Sequence, residues 1–463
     1  MKKTIFLIFL SISSYASNIP TSSVVKIFTS SSTPNYKYPW QSPKISDSSG
    51  SGVIIKNNQI LTSAHVVSYG KFIEVQKEKD NKKYMATIKY ISNQVDLAIL
   101  EVEDKEFFED TKPLKLSEDI KYRDNISVIG YPIGGDSIST TNGIISRIEY
   151  KKYIWSQENF LAIQVDAAIN SGNSGGAAIN SNQDIVGIVI QSLNKADNIG
   201  YLVPSIIINS FLEDIKDGKV DGLYSTETKV STLENQYQKE FYDTKNGILV
   251  TDTDMYDIEL EPNDILLSIN DKKIYTDGNI DSKYGKINFA LELHTKQIGD
   301  IVKLKILRDK NIINVDYKIK QSKKIIPKEF NIPSRYLIFG GFVFSPFSLN
   351  TINDYGMDSS IANHLYIERK KSKEKSELVF LQPTIFSHKV NRGYKDIGDF
   401  VDKINGVNIV DFKHFVKFLD DTKDEYLQIE FINKEKIILK IKEAKDSFEE
   451  IKEIYGLAKD RKL

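Results

Sequence analysis

The chain of 463 residues contains no cysteine. That excludes disulfides, thiolate metal sites and a cysteine nucleophile, and leaves the redox compartment open. Histidine is scarce. The five, His65, His294, His364, His388 and His414, are scattered, and no two have the close spacing of a helical zinc site. No metal is expected. No G-x-x-x-x-G-K-[ST] phosphate loop occurs either, so nothing implies ATP use or any other cofactor. The net charge is -1, which gives no bias toward nucleic acid or an anionic membrane. Long apolar runs are missing too. The apolar part of MKKTIFLIFLSISSYAS is about ten residues, against about 20 for a spanning helix. Two lysines precede it, and Ser14 and Ala16 suit positions −3 and −1 of a cleavage site, the pattern of a secretory signal. Residues 1–16 are read as a signal peptide. The mature protein is then exported, to the periplasm, without a stable membrane anchor.

What is present is ordinary for a soluble globular protein: 40% hydrophobic and 27% charged residues. The length suggests about three domains. From Ser22 to Leu202, β-branched segments such as SGVIIKNNQILTS, DLAILEV, NISVIGYP and DIVGIVIQS alternate with turns. Many short strands with few helices predict a closed barrel or sandwich. VPSIIINSFLEDIKDG then reads as a helix, with Pro204 in its first turn and Gly218 at its end. It closes a first domain over residues 20–218. Beyond it, two sections share an order: an apolar strand, a turn at Ile269-Asn270-Asp271 or Ile404-Asn405-Gly406, a helix and a closing strand pair. They read as two related small α+β domains, residues 220–322 and 332–445. INFALELHTKQ should be the first one's helix. Phe412, Phe415, Phe418 and Leu419 mark the buried face of the second one's helix. Residues 446–463 read as a charged helical tail.

The chemistry centres on INSGNSGGAAI, residues 169–179, where Gly172, Gly175 and Gly176 surround Ser174. Such a glycine cluster marks a tight, special backbone. A serine hydroxyl is a poor nucleophile until a base stands within hydrogen-bond reach and a third group orients that base. His65 in LTSAHVV is the only histidine before Ser174, and Asp96 in QVDLAIL stands at the mouth of a strand. Singly, each has a plainer reading: a packed histidine, a turn aspartate, a loop serine. Their weight lies in the order His, Asp, Ser within one strand-rich unit. GNSGG also fits the nucleophile elbow of α/β-hydrolases, but that triad runs Ser, acid, His on alternating strands and helices, which the flanks do not show. The order of the chymotrypsin type fits.

TSAHVV, VDLAIL and DAAINSGNSGG, continued by GYPIGGDSISTTNGIISRIE and NIGYLVPS, resemble the HtrA/Deg family of serine proteases. EPNDILLSIN and RYLIFGGFVFSPFS are most similar to its plant-type subgroup. The resemblance implies a mostly β chain: a chymotrypsin-like double β-barrel, a PDZ domain and an atypical second PDZ-like domain. It implies a triad of His65, Asp96 and Ser174, an oxyanion hole of the Gly172 and Ser174 N–H groups, and homo-oligomers built from protease trimers. Ala177 stands where the family usually has proline, which puts the stiffness of the loop in doubt.

Ala168, six residues before Ser174, should floor the first specificity pocket, and its lack of charge excludes selection of Lys or Arg. Ile199, Tyr201 and Val203 should alternate along a pocket wall, with Tyr201 narrowing it, so cleavage after small or medium apolar residues is expected. Such residues are buried in folded proteins, which favours unfolded substrates and peptides. A PDZ domain captures a peptide's terminal carboxylate in backbone N–H groups. Gly222, Leu223 and Tyr224 are the first domain's candidates. Gly340 and Gly341 are the second's, or serve only close packing. PNYKYPW, residues 34–40, suits a subunit contact or an active-site loop. The leading reading is an ATP-independent endopeptidase for damaged exported proteins. The alternative is a chaperone or peptide-binding scaffold with a resting protease domain. An esterase fits the β-rich pattern less well.

Overall fold

The computed structural model describes residues 20–78, 80–133, 135, 137–192, 199–255, 257–358, 375–395 and 400–463. The signal segment, residues 1–16, and Asn198 lie outside the described residues. Strands dominate. β1 (Val24–Thr33), β2 (Lys44–Ile55), β3 (Gln59–Thr62), β4 (Gly70–Lys77), β5 (Tyr84–Ser92) and β6 (Leu97–Val102) close a barrel in the order β1-β2-β3-β6-β5-β4. β7 (Asn125–Gly130), β8 (Ser139–Lys152), β9 (Asn159–Val165), β10 (Ala177–Ile179), β11 (Ile185–Ser192) and β12 (Gly200–Pro204) close a second, in the order β10-β11-β12-β9-β8-β7.

Period-two alternation explains how the barrels meet. Ile54, Ile60, Ala98 and Leu100 fill the first barrel. Their neighbours Val53, Leu61, Leu97 and Ile99 turn the other way and join Val128, Ile163, Ile188 and Val203 in the core of the second. One apolar seam therefore locks the barrels together, each fully buried aliphatic contributing about 1.5–3 kcal/mol. The loops that flank the seam are held at fixed separation. Helix Ser205–Asp214 follows, with Pro204 as its N-cap and Ile207, Ile208 and Phe211 buried. Gly218 ends the unit in a left-handed conformation, φ 92°.

The next unit holds strands Lys229–Ser231, Ile248–Asp252, Ile265–Ile269, Ile301–Arg308 and Asn311–Lys318, hydrogen-bonded in that order. Its helix is shorter than INFALELHTKQ suggests. Gly285–Asn288 is a strand paired with Asn279–Ser282, and only Leu291–His294 is helical. Gly285 at φ 90° allows the tight hairpin that takes these residues out of the helix.

The last unit contains two four-stranded sheets. In helix Phe412–Asp421 the expected face is buried at Phe412, Phe415 and Leu419, and Phe418 packs at its edge. The two turns read as equivalent are so in detail. Asn270 and Asp271 have φ of 48° and 62°; Asn405 and Gly406 have 46° and 82°. Both φ values are positive, as a two-residue hairpin of this hand requires. In one copy the Asn270 side chain accepts from Lys303 N at 3.1 Å; in the other Asn405 accepts from Gln428 N at 2.7 Å.

One expectation fails here. The terminal residues are not an appended tail. Helix Ile441–Tyr455 starts earlier and buries Ile441, Ala444, Ser447 and Ile451, and Arg461–Lys462 pairs with Tyr336–Leu337. The apolar stripe on this charged helix was the reason: it needed a surface to cover. Residues 34–40 dock onto the same unit. Trp40 meets Phe386 edge-on at 5.1 Å, Tyr36 N donates to Asp354 at 2.8 Å, and Gln382 Nε2 donates to the Tyr36 carbonyl at 3.2 Å. The first barrel thus grips the distant last unit.

Candidate active site

His65 lies in the single helical turn Ala64–Val67 that follows β3, and Asp96 immediately precedes β6. β3 and β6 are hydrogen-bonded neighbours, so the two residues start close together. Asp96 is fully buried, with φ of 59°. Few residues other than glycine adopt that conformation; aspartate is among those that tolerate it. It directs one carboxylate oxygen to the His65 backbone N at 2.7 Å and the other to His65 Nδ1 at 2.6 Å. The main chain closes the same loop, Ala64 N donating to the Asp96 carbonyl at 3.1 Å. The carboxylate fixes the ring's orientation and leaves Nε2 as the outward nitrogen.

Burial alone would lower the His65 pKa. The charge of Asp96 and its hydrogen bond outweigh burial and hold the pKa above 6.5. Tyr153 completes the environment. It belongs to the connection between β8 and β9 and is nearly fully buried. Its hydroxyl donates to the Asp96 oxygen that also accepts from Nδ1, at 2.6 Å. Burial, with the adjacent carboxylate, keeps that phenol protonated far above the usual range, so it remains a donor. Trp155, in the same connection, lies 6.0 Å from the His65 ring, and Phe330 covers the indole at 5.3 Å.

Ser174 sits in the loop before β10. The first barrel holds that loop through Ser51, a fully buried residue of β2. Ser51 N donates to the Ser174 carbonyl at 2.9 Å. Ser51 Oγ donates to the Gly172 carbonyl at 2.7 Å and accepts from Tyr131 N at 2.8 Å. The glycines are required by close backbone approach. A Cβ on Gly172, at φ 97°, would lie 2.4 Å from the Tyr131 carbonyl oxygen. On Gly175, at φ 82°, it would lie 2.1 Å from the Ser51 carbonyl oxygen, and on Gly176 2.3 Å from that of Ile129. Gly175 N to the Val189 carbonyl at 2.8 Å, and Val189 N to that of Gly176 at 3.0 Å, pin the loop to β11. It is therefore held firmly with Ala177 in place of proline.

The segments carrying His65 and Ser174 meet across Gly50. A Cβ there would lie 2.6 Å from Val66 Cγ1 and 3.2 Å from the Ser174 carbonyl oxygen. Among the described residues, neither Gly172 nor Ser174 gives its N–H to a protein acceptor, so both are free for a ligand oxygen. The Ser174 hydroxyl also makes no hydrogen bond among the described residues, to His65 or to another group. The His65–Asp96 pair is assembled, and no hydrogen bond joins it to Ser174.

The pocket residues divide. Ala168 is exposed, and its carbonyl accepts from Thr141 Oγ1 at 2.9 Å. Ile199 is half-buried against the second-barrel core. Val203 is fully buried core, paired with Ile188. The expected alternation fails because β12 lies between β11 and β9 with helix Ser205–Asp214 beside it, and every residue is buried. Tyr201 does line a small cavity, of about 30 Å³, with Ala162, Ile190 and Tyr153. Lys151 Nζ donates to its hydroxyl at 2.6 Å.

The peptide-capture candidates fare differently. Gly222 N donates to Asp214 at 3.0 Å and Leu223 N to Gln94 at 2.9 Å, while the Tyr224 hydroxyl is buried against that of Tyr317. Gly222 and Leu223 form the seam with the protease barrels, where their N–H groups are spent, and Tyr224 packs into the core of its own unit. Gly340 and Gly341, at φ 57° and 81°, form the tip of a buried hairpin between Tyr336–Phe339 and Phe342–Pro346. Asn391 Nδ2 donates to the Gly340 carbonyl at 2.8 Å, and a Cβ on Gly341 would lie 2.2 Å from the Phe386 carbonyl oxygen. Close packing requires a glycine at position 341.

Reading the sequence alone missed Tyr153, Ser51 and Trp155. The aromatic run YKKYIW between two strand signals, and the Ser-Gly repeat SSGSGV, were the only local traces of them.

A trypsin-like peptidase domain family matches residues 50–188, and a PDZ domain family matches residues 322–462. Protease Do-like 4, mitochondrial, from Arabidopsis thaliana is 33% identical over 457 residues, covering 96% of this chain and 86% of that protein. Protease Do-like 2, chloroplastic, from the same plant is 30% identical over 452 residues, covering 95% and 74%. Among solved structures, HtrA-type protease AlgW with decapeptide superposes at a TM-score of 0.51 and 22% identity, covering 66% of this chain and 98% of that one, a likeness of fold. With the barrels, the histidine–carboxylate pair and relatives matched along nearly the whole chain, the protein belongs to the HtrA/Deg family of serine proteases.

Proposed function

We propose that this serine endopeptidase cleaves unfolded or damaged polypeptides without ATP, using His65, Asp96 and Ser174 as its triad. The observation that carries the reading is the buried Asp96 carboxylate on His65 Nδ1, 2.6 Å away, beside a glycine-bound Ser174 loop with two unspent N–H groups. His65 Nε2 takes the Ser174 proton as Oγ attacks the scissile carbonyl. The new oxyanion is held by the N–H groups of Gly172 and Ser174, each such donor being worth about 10²–10³ in turnover. His65 then returns the proton to the leaving amine, and water cleaves the acyl-enzyme by the same route. Asp96 orients the imidazole and stabilises its charged form. Ala168, Ile199 and Tyr201, with the small apolar cavity at Tyr201, favour small apolar residues at the cleavage point.

The missing Ser174–His65 hydrogen bond supports a resting conformation that substrate completes; catalytic hydrogen bonds are often long before substrate binds. Ser174→Ala should abolish casein cleavage while leaving thermal unfolding unchanged. Undiminished cleavage overturns the triad. A fluorophosphonate probe that labels only when unfolded substrate is present marks a switched protease. Absence of labelling in both conditions would favour the scaffold reading instead. Assembly into protease trimers belongs to the same proposal and is read by sedimentation. The lysine-led apolar segment at residues 1–16 supports delivery across a membrane. The organellar labels of the plant relatives fit a targeted protease in general and give no support to the periplasm in particular. Among the described residues no helix is long and apolar enough to cross a membrane.

A further inference from the structure

The first PDZ unit holds a groove whose chemistry departs from carboxylate capture. Strand Lys229–Ser231 lies at the edge of its sheet, paired on one side with Ile248–Asp252. Nearby, a cavity of about 410 Å³ is lined by apolar side chains including Val230, Leu260, Leu266, Phe289, Leu293 and Leu304. An added peptide strand would fit there, with alternate side chains entering the cavity. The loop Ser225–Thr228, just before the edge strand, is where the donors for a terminal carboxylate should be.

Three of the loop's four N–H donors are already used; among the described residues, Thr226 N is not. Glu227 N donates to Asp254 Oδ2 at 3.0 Å, Thr228 N to Thr226 Oγ1 at 2.9 Å and Ser225 N to the Lys320 carbonyl at 3.3 Å. A second internal carboxylate collects the hydroxyls. Asp257 accepts from Thr226 Oγ1 at 2.9 Å, from Thr228 Oγ1, and from Tyr317 OH at 2.7 Å. Asp254, Asp257 and Glu227 are all buried at this head of the groove. Lys320 Nζ lies 3.6 Å from Asp257 and also pairs with Glu259, so its charge is shared between them. A ligand carboxylate entering here would find three of the four N–H partners spent, only Thr226 N open, and two carboxylates facing it. Desolvating another anion beside them is costly. Tyr150, Glu158 and Asn159 of the protease unit also line the cavity, and Tyr150 OH lies 2.9 Å from His294 Nδ1. The groove therefore opens beside the barrel that carries Ser174.

We propose that this groove binds an internal, apolar segment of an unfolded chain and does not select a C-terminal carboxylate. The inference rests on the protease reading for its biological sense, but its test is independent. The full chain carrying Ser174→Ala would be titrated with three fluorescein-labelled peptides sharing the sequence SLVALVSLAV. One ends in a free carboxylate, one in an amide, and one continues through ten Gly/Ser residues. Anisotropy should give dissociation constants within about threefold for all three. Phe289→Glu, a substitution at a half-buried groove residue, should weaken all of them at least tenfold with the melting temperature unchanged. The proposal is overturned if the free acid binds tenfold or more tightly than the amide, if no peptide binds, or if Phe289→Glu has no effect on a folded protein. Fluorophosphonate labelling of wild-type Ser174 is read separately. Labelled protein without peptide binding sinks the groove and leaves the protease standing.

Discussion

One oxygen of Asp96 receives two hydrogen bonds, from His65 Nδ1 and from the hydroxyl of Tyr153, each 2.6 Å long. The buried carboxylate is therefore held by the imidazole it orients and by a phenol from the other barrel. Tyr153 positions the acid and does not touch substrate chemistry itself. Hydrogen bonds to charged groups contribute about 1.5–3 kcal/mol. Tyr153→Phe should lower kcat/KM by about tenfold, with KM little changed. It should also move the acid limb of the pH–rate profile to higher pH. A carboxylate no longer drawn toward the phenol stabilises the imidazolium more strongly. A pH series of peptide hydrolysis checks both effects; an unchanged limb at unchanged rate would make Tyr153 mere packing.

Ser51 offers a second test, because its hydroxyl bridges Gly172 and Tyr131. Ser51→Ala removes two buried hydrogen bonds and leaves a carbonyl and an N–H to find new partners. The expected loss is about 1–3 kcal/mol of stability, read by denaturant unfolding, with kcat falling more than KM rises. Gly175→Ala should be worse, since the added Cβ would lie 2.1 Å from the Ser51 carbonyl oxygen in a backbone of φ 82°. Active Gly175→Ala enzyme would show that the loop is looser than this geometry allows.

The sign of the His65 shift sets the pH dependence. In the proposed mechanism His65 acts as a neutral base, and Asp96 holds its pKa above 6.5. Activity should rise with pH through a pKa above 6.5, not at it, and be low in mild acid. Asp96→Asn removes the carboxylate charge, so burial then dominates and the limb should move down in pH while the rate falls steeply. The same pair bears on stability. A histidine whose pKa is raised on folding contributes stability below its unfolded value, and that contribution is lost as pH climbs through the folded value. Rate–pH profiles with thermal melts across pH 5 to 9 test both statements.

The contact between the first barrel and the last unit invites a fourth test. Trp40 against Phe386 and Tyr36 N on Asp354 tie the two together. Trp40→Ala with Asp354→Ala should loosen the unit. The expected signs are faster limited proteolysis after residue 322 and a larger radius of gyration, with hydrolysis of a short peptide retained. An unchanged scattering curve would mean that other contacts carry the docking.

Much of this was legible along the chain because it is local. Period-two alternation gave the strands of both barrels. Asn270-Asp271 and Asn405-Gly406 announced their hairpins, since few residue pairs accept two positive φ values. The His, Asp, Ser order was readable, although the proximity of its members was not. What stayed hidden depends on distant partners. Nothing near Tyr153 in sequence names Asp96, which lies 57 residues away. The N–H groups of Gly222 and Leu223 looked available until Asp214 and Gln94 were seen to take them. Val203 reads as a pocket residue on one strand and as core once that strand has neighbours on both sides. Helix Ile441–Tyr455 looked like a tail because the surface covered by its apolar stripe comes from residues far earlier in the chain, Tyr336, Ile338 and Phe386 among them.

The central claim is most directly tested by mapping where a fluorophosphonate attaches. Protein mixed with unfolded substrate would be labelled, digested and analysed by mass spectrometry. The account expects one adduct, on Ser174, lost in Ser174→Ala and strongly reduced in His65→Ala and Asp96→Asn. An adduct on another residue, or labelling of Ser174 that persists undiminished without His65, would contradict it.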